Sequence, residues 1–184
     1  MTVKVKPWSF TVDDYQAMGA AGILAEDDRV ELIDGVIAEM TPIGARHVSC
    51  LMRLNAALTI PLDGRALVSI QGSVRLSERS EPQPDVAVVR MDRDYSTQLP
   101  GPADILLLIE VADTSLGYDQ AIKLPLYARA GVDELWIIDL AGQRINRYRS
   151  PEGDGYDDVA TLGPGETVMP LAFPDVAIQV GSLF

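Results

Sequence analysis

Cysteine, histidine, lysine and aromatic residues are all scarce in this sequence, and each shortage removes a class of function. Cys50 is the only cysteine among 184 residues, so there is no intrachain disulfide framework and no cysteine-based zinc site, which fits a reducing compartment. No apolar run is long enough to cross a membrane, and the opening Met1-Thr2-Val3-Lys4-Val5-Lys6-Pro7 lacks the apolar core of a signal segment. The expectation is a soluble, cytoplasmic chain with no membrane partner. The 15 Lys plus Arg stand against 27 Asp plus Glu, a net charge of −12, which excludes a protein whose whole surface attracts nucleic acid. A nucleic-acid role needs a local basic face or a metal that changes the sign of the field. Arg144, Arg147 and Arg149 form one candidate cluster and Arg90 with Arg93 another, although clusters this small are more often solvated surface.

Apolar residues, by contrast, make up 47% of the chain, enough for a sizeable core, and residues 1–184 read as a single domain. Thr11-Val12-Asp13-Asp14 starts a helix, with Thr11 as cap and Gly22 near the end. Arg29 to Ile33 and Val36 to Met40 are short β-prone runs on either side of Asp34-Gly35, the dipeptide of a type I′ turn, and predict a β-hairpin. His47, Leu51, Leu54 and Leu58 recur at the spacing of one helical face until Pro61. Ala66 to Ile70 and Ser73 to Leu76 read as strands, and Glu78 to Pro84 as a polar loop. Asp85 to Val89 and Asp104 to Val111 are nearly continuous apolar runs, expected of strands covered on both faces at the centre of a sheet. Gly117 to Ala130 reads as a helix ending at Gly131, with Pro125 making it start late or kink beside Lys123. Asp133 to Leu140 is a further buried strand, followed by an outward strand carrying Arg144, Asn146 and Tyr148 and a tail of short β extensions. Trp8 and Trp136 are expected in the core or an interface.

Asp85 and Glu110 are the informative pair, because Asp85 opens one strongly apolar strand and Glu110 closes another. A carboxylate in such a place is costly unless paired or bound to a cation. If the two strands are antiparallel neighbours the carboxylates meet, and a hard cation such as Mg²⁺ relieves their repulsion. The alternative is that each acid caps a strand end in solvent, the better reading for either residue alone. Lys123, thirteen positions past Glu110, is the only lysine after Lys6. An ammonium brought back to the strand end would orient a water or neutralise charge growing on a transition state. Its structural alternative is an exposed ion pair with Asp119, one helical turn away, and spacing alone leaves the two even. His47, on a leucine stripe, reads first as a core histidine. Tyr127 reads as packing, and Asp113 and Ser115 as phosphate contacts or helix caps.

These residues also carry a resemblance. Gln83-Pro84-Asp85-Val86, then Ile109-Glu110-Val111-Ala112-Asp113-Thr114-Ser115-Leu116, then Asp119, Lys123, Tyr127 and Gly131 to Asp139 are similar to the pattern of the Uma-type restriction endonuclease family within the PD-(D/E)XK superfamily. Glu31 to Gly35 and His47 resemble it too, so the match runs from Glu31 to Asp139. It departs from the superfamily at Ala112, where the usual lysine would stand, which makes Lys123 the substitute. The resemblance implies an α/β restriction-endonuclease-like core, a central mixed β-sheet flanked by helices, with an N-terminal β-hairpin and C-terminal β extensions. It implies Mg²⁺ or Mn²⁺ held by Asp85, Glu110 and the main-chain carbonyl of Val111, and Glu31, Asp85, Glu110 and Lys123 as catalytic groups. The activity implied is hydrolysis of DNA phosphodiesters by a metal-activated water, in a homodimer where both strands are cut. The competing reading is a non-catalytic interaction or regulatory module on the same fold, which the acidic charge favours; a third is hydrolysis of some other phosphoester.

Overall fold

The computed structural model describes residues 7–25 and 27–184. Residues 1–6, read above for their lack of a signal segment, lie outside the described residues. Helix α1 (Val12–Ala20) opens with a capping box in which Thr11 and Asp14 satisfy each other's backbone donors. Strands β1 (Val30–Ile33) and β2 (Val36–Glu39) pair antiparallel as expected. Asp34 and Gly35 take φ of 47° and 80°, as a type I′ turn requires, and a side chain at Gly35 would also strike Ser9 Oγ.

Helix α2 (Ala45–Leu62) buries His47, Leu51, Leu54 and Leu58 on one face, and runs one residue past Pro61. The main sheet has the order β3-β4-β5-β6-β7-β8, built from β3 (Ala66–Ile70), β4 (Val86–Arg90), β5 (Ile105–Ala112), β6 (Glu134–Asp139), β7 (Arg144–Glu152) and β8 (Gly155–Leu162). All neighbours are antiparallel except β5 and β6. That parallel pair needs a crossover, supplied by α3 (Leu116–Tyr118), a π turn (Asp119–Lys123) and α4 (Leu124–Arg129).

Alternation explains why the central strands are apolar throughout. Val86, Val88, Leu107 and Ile109 face α2 and the C-terminal tail, while Ala87, Val89 and Leu108 face Leu126, Tyr127 and Val132 on the crossover side. Each fully buried leucine, such as Leu54, Leu58 or Leu107, stabilises the fold by about 1.5–3 kcal/mol. Strands β9 (Thr167–Val168) and β10 (Ile178–Gln179) form a separate ribbon in the tail. Among the described residues no helix is long and apolar enough to cross a membrane.

Three local expectations fail in whole or in part. Ser73 to Leu76 forms no strand: Val74 and Leu76 are buried, but their backbone donors go to Pro82 and Ser80 in a turn of the same segment rather than to a sheet neighbour. Trp8 is 78% exposed, so it is not core, whereas Trp136 is fully buried. Asn146 is not outward, because β8 lies alongside β7 and Asn146 is buried with its side-chain oxygen accepting from Thr161.

Candidate metal and nuclease site

Strand pairing brings the two informative acids together. Val86 pairs with Ile109, so Asp85, one residue before β4, stands beside Glu110 and Val111 at the end of β5. Asp85 Oδ2 accepts the Val111 N–H at 2.8 Å, and its Oδ1 lies 2.9 Å from His47 Nε2. Within a strand the N–H and C=O of one residue project to the same side. Ala112 is bonded towards β6, its carbonyl accepting from Leu140, so the Val111 carbonyl faces the Asp85 side.

Glu110 and Lys123 form a buried cluster with Glu31. The Lys123 ammonium lies 3.1 Å from Glu110 Oε1 and 3.3 Å from Glu31 Oε2, and the three residues are only 3–4% exposed. The exposed pair with Asp119 offered as Lys123's alternative does not form; Asp119 is itself buried and accepts from the Ser115 hydroxyl at 2.7 Å. Pro125 accounts for the placement. It has no N–H to give Ala121, and its ring would collide with that carbonyl in a regular helix. The preceding turn widens instead, Leu124 N–H bonding back five residues to Asp119, and both Asp119 and Lys123 point inward.

All these groups line one cavity of about 460 Å³, and their charges are strongly coupled. Burial pushes Glu110 up to about 8, against the pull of Lys123 and helped by the charges of Asp85 and Asp119. Burial alone would lower Lys123, but Glu110, Glu31 and Asp119 hold it protonated above its ordinary range. Burial therefore disfavours the ionised form of Glu110 even beside the charged Lys123.

The family described as Uma2, "Putative restriction endonuclease", matches residues 12–181. The chain belongs to this family. Among solved structures it is similar to "a putative nuclease belonging to DUF820" from Anabaena variabilis ATCC 29413, with a TM-score of 0.72 at 15% identity over 95% of this chain and 97% of that one. That likeness shows a shared fold, which is restriction-endonuclease-like. The type IIG restriction endonuclease BpuSI overlaps more loosely, with a TM-score of 0.38 at 17% identity over 60% of this chain and 13% of that one. No curated protein matches the sequence.

In this Uma2 chain three neighbours make contacts at the site that residue spacing did not specify. His47 belongs to the buried stripe and also touches Asp85, so the core reading alone was incomplete. Tyr127, read as packing, donates its hydroxyl to Glu110 Oε1; its place one turn after Lys123 was the available signal. The Tyr118 hydroxyl approaches Glu31 Oε1 at 3.5 Å. Gln83 contributes its main-chain N–H, which donates to Glu31 Oε2 at 3.1 Å. Asp113 pairs with Arg46 at 3.3 Å. The candidate basic faces are neutralised: Arg144, Arg147 and Arg149 pair with Asp139, Asp158 and Glu134, and Arg93 with Asp104, while Arg90 is spent on the Ala103 carbonyl.

Among the described residues no three or more His, Cys, Asp or Glu side chains are gathered so as to hold a metal by themselves. The donor chemistry still suits Mg²⁺ or Mn²⁺, because such ions take one or two carboxylates and keep several waters rather than filling an all-protein cage. Asp85, Glu110 and the Val111 carbonyl offer that set of hard oxygens. A divalent cation would offset the burial, and the neighbouring Asp85 and Asp119 charges, that disfavour ionised Glu110.

Proposed function

We propose that this chain is a divalent-metal-dependent endonuclease that hydrolyses DNA phosphodiester bonds, with Asp85, Glu110, Lys123 and Glu31 as its catalytic groups. The observation that carries the reading is the Lys123 ammonium 3.1 Å from Glu110, in a cavity shared with Asp85 at the end of two adjacent antiparallel strands. Asp85, Glu110 and the Val111 carbonyl would hold Mg²⁺ or Mn²⁺. When bound, such an ion supplies Lewis acidity and lowers the pKa of water.

The protein groups have separate tasks. Lys123, held cationic by its acidic neighbours, neutralises charge growing on the non-bridging phosphoryl oxygens as the attacking oxygen bonds to phosphorus and the leaving oxygen departs in line. Glu31 shares Oε2 with Lys123 and the Gln83 N–H, and accepts the proton given up by the attacking water. His47 and the Val111 N–H fix the two oxygens of Asp85, and Tyr127 fixes Glu110, which limits reorganisation during the reaction.

The test is cleavage of supercoiled plasmid and of single-stranded oligonucleotides with Mg²⁺ or Mn²⁺, beside Glu110→Ala, Lys123→Ala and an EDTA control. Metal-dependent nicking lost in both variants supports the proposal. Activity that survives both substitutions overturns the mechanism. No cleavage, together with no Mn²⁺ binding sensitive to Asp85→Ala, turns the reading to a non-catalytic module.

A further inference from the structure

The cavity is short of positive charge in a way that restricts its substrate. It is lined by Glu31, Glu39, Asp85, Glu110, Asp113 and Asp119, against Arg29 and Lys123 as the only lysine or arginine side chains among the described residues. The Lys123 ammonium is already committed to Glu110 and Glu31. Of the twelve arginines in the chain, eleven are bound to carboxylates, carbonyls or a hydroxyl. Arg29 alone has no such partner among the described residues, and it is the arginine that lines the cavity.

Its place follows from the strand. Arg29 stands just before β1, its carbonyl accepting from Met40 as the hairpin ladder continues. Residues two apart on a strand share a face, so Arg29 and Glu31 point into the same cavity, roughly 7 Å apart along the backbone. Arg29 is half-buried on the lining of this cavity, and a guanidinium there is suited to a phosphate oxygen next to the bond being cut, because its fork matches phosphate in a bidentate bond.

Duplex DNA is a poor fit to the same site. It carries one negative charge per about 1.7 Å and is held mainly by many basic contacts to its backbone. Here the net charge is −12 and the other arginines are occupied. Glu31, Glu110 and Lys123 are only 3–4% exposed, so the phosphodiester must come down into the cavity, which one strand does far more readily than a rigid duplex.

We propose that the site takes single-stranded DNA and that Arg29 is its substrate-anchoring residue, gripping the phosphate beside the scissile one. This rests on the nuclease reading above. The experiment is steady-state cleavage, with Mn²⁺, of a single-stranded oligonucleotide and of its matched duplex at several salt concentrations. It compares the unaltered protein with Arg29→Ala, Arg29→Lys and Arg65→Ala; Arg65 pairs with Asp175 beyond the far end of α2 and controls for the lost charge.

The unaltered protein is expected to prefer the single strand by tenfold or more in kcat/KM. Arg29→Ala should raise KM about tenfold, as for a lost hydrogen bond to a charged group, with the effect falling on KM more than on kcat. It should also reduce the slope of log affinity against log salt by about 0.7, the value for one contact to a single strand. Arg29→Lys should keep that slope, and Arg65→Ala should match the unaltered protein. Equal cleavage of the duplex overturns the substrate assignment. An unchanged KM and salt slope in a folded Arg29→Ala, or the same change in Arg65→Ala, overturns the anchor while leaving the nuclease reading intact. Failure of the unaltered protein to cut any nucleic acid removes both.

Discussion

The buried acid cluster makes the metal-free protein less stable as the pH rises, opposite to the usual behaviour of paired carboxylates. Glu110 is pushed up to about 8 by burial and by the Asp85 and Asp119 charges, from an ordinary 4.5. Between those values the folded chain keeps a proton that the unfolded chain has released, so stability declines with increasing pH. It is fully present below about 4.5, is lost as the pH climbs towards 8, and is level above that. The slope is at most about 1.4 kcal/mol per pH unit, or at most about 5 kcal/mol over the window, a large share of the roughly 5–15 kcal/mol that holds a domain folded. Asp119 and Glu81 are also raised by burial and act in the same sense. Lys123 is raised, so its contribution is constant below its ordinary 10.5 and adds no slope here. Urea unfolding at pH 5, 6, 7 and 8 with EDTA measures the effect in the unaltered protein and in Glu110→Gln, which cannot ionise. The unaltered protein should lose stability over this range, and Glu110→Gln should lose much less. A flat or rising profile for the unaltered protein, or an equal slope in both, refutes the account of the cluster.

Tyr127→Phe removes the hydroxyl that favours ionised Glu110. It should move the Glu110 midpoint further up, seen by carboxyl infrared absorption, and cost about 1–3 kcal/mol at pH 8 with a smaller loss at pH 5. Lys123→Ala leaves Glu31 without its cation and should cost about 3–5 kcal/mol at neutral pH; adding Glu31→Gln should restore much of that stability in denaturation curves without restoring cleavage. Glu134 is fully buried and accepts from the Trp136 indole, Arg149 and the Leu171 N–H. Glu134→Ala should cost about 3–5 kcal/mol, and amide exchange should speed up in residues 169–184, which Glu134 ties to the sheet.

Much of this molecule is legible from residue type and spacing because the signals are local. Asp34-Gly35 names its turn, the His47-Leu51-Leu54-Leu58 stripe names a helical face, and the unbroken apolar runs of β4 and β5 announce strands covered on both sides. The acids at the ends of those runs stand out because ionised groups are costly there without partners. Ser73 to Leu76 misled because a burial pattern of period two does not require a strand partner; the segment buries Val74 and Leu76 from a turn.

By itself, then, the sequence determined most of the segments that become strands and helices, where the chain turns, and that Asp85, Glu110 and Lys123 lay at positions suited to chemistry. Tertiary structure alone decided their company. It chose Glu110 and Glu31 over Asp119 as partners for Lys123, through a π turn ahead of Pro125, and it added His47 and Tyr127 from opposite faces of the sheet. Helical periodicity assumes one fixed turn, so a single widened turn redirects a side chain in a way that no residue count records. The same holds for charge. A net of −12 says nothing of which arginines are occupied, and only the fold leaves Arg29 facing the cavity without a carboxylate partner among the described residues.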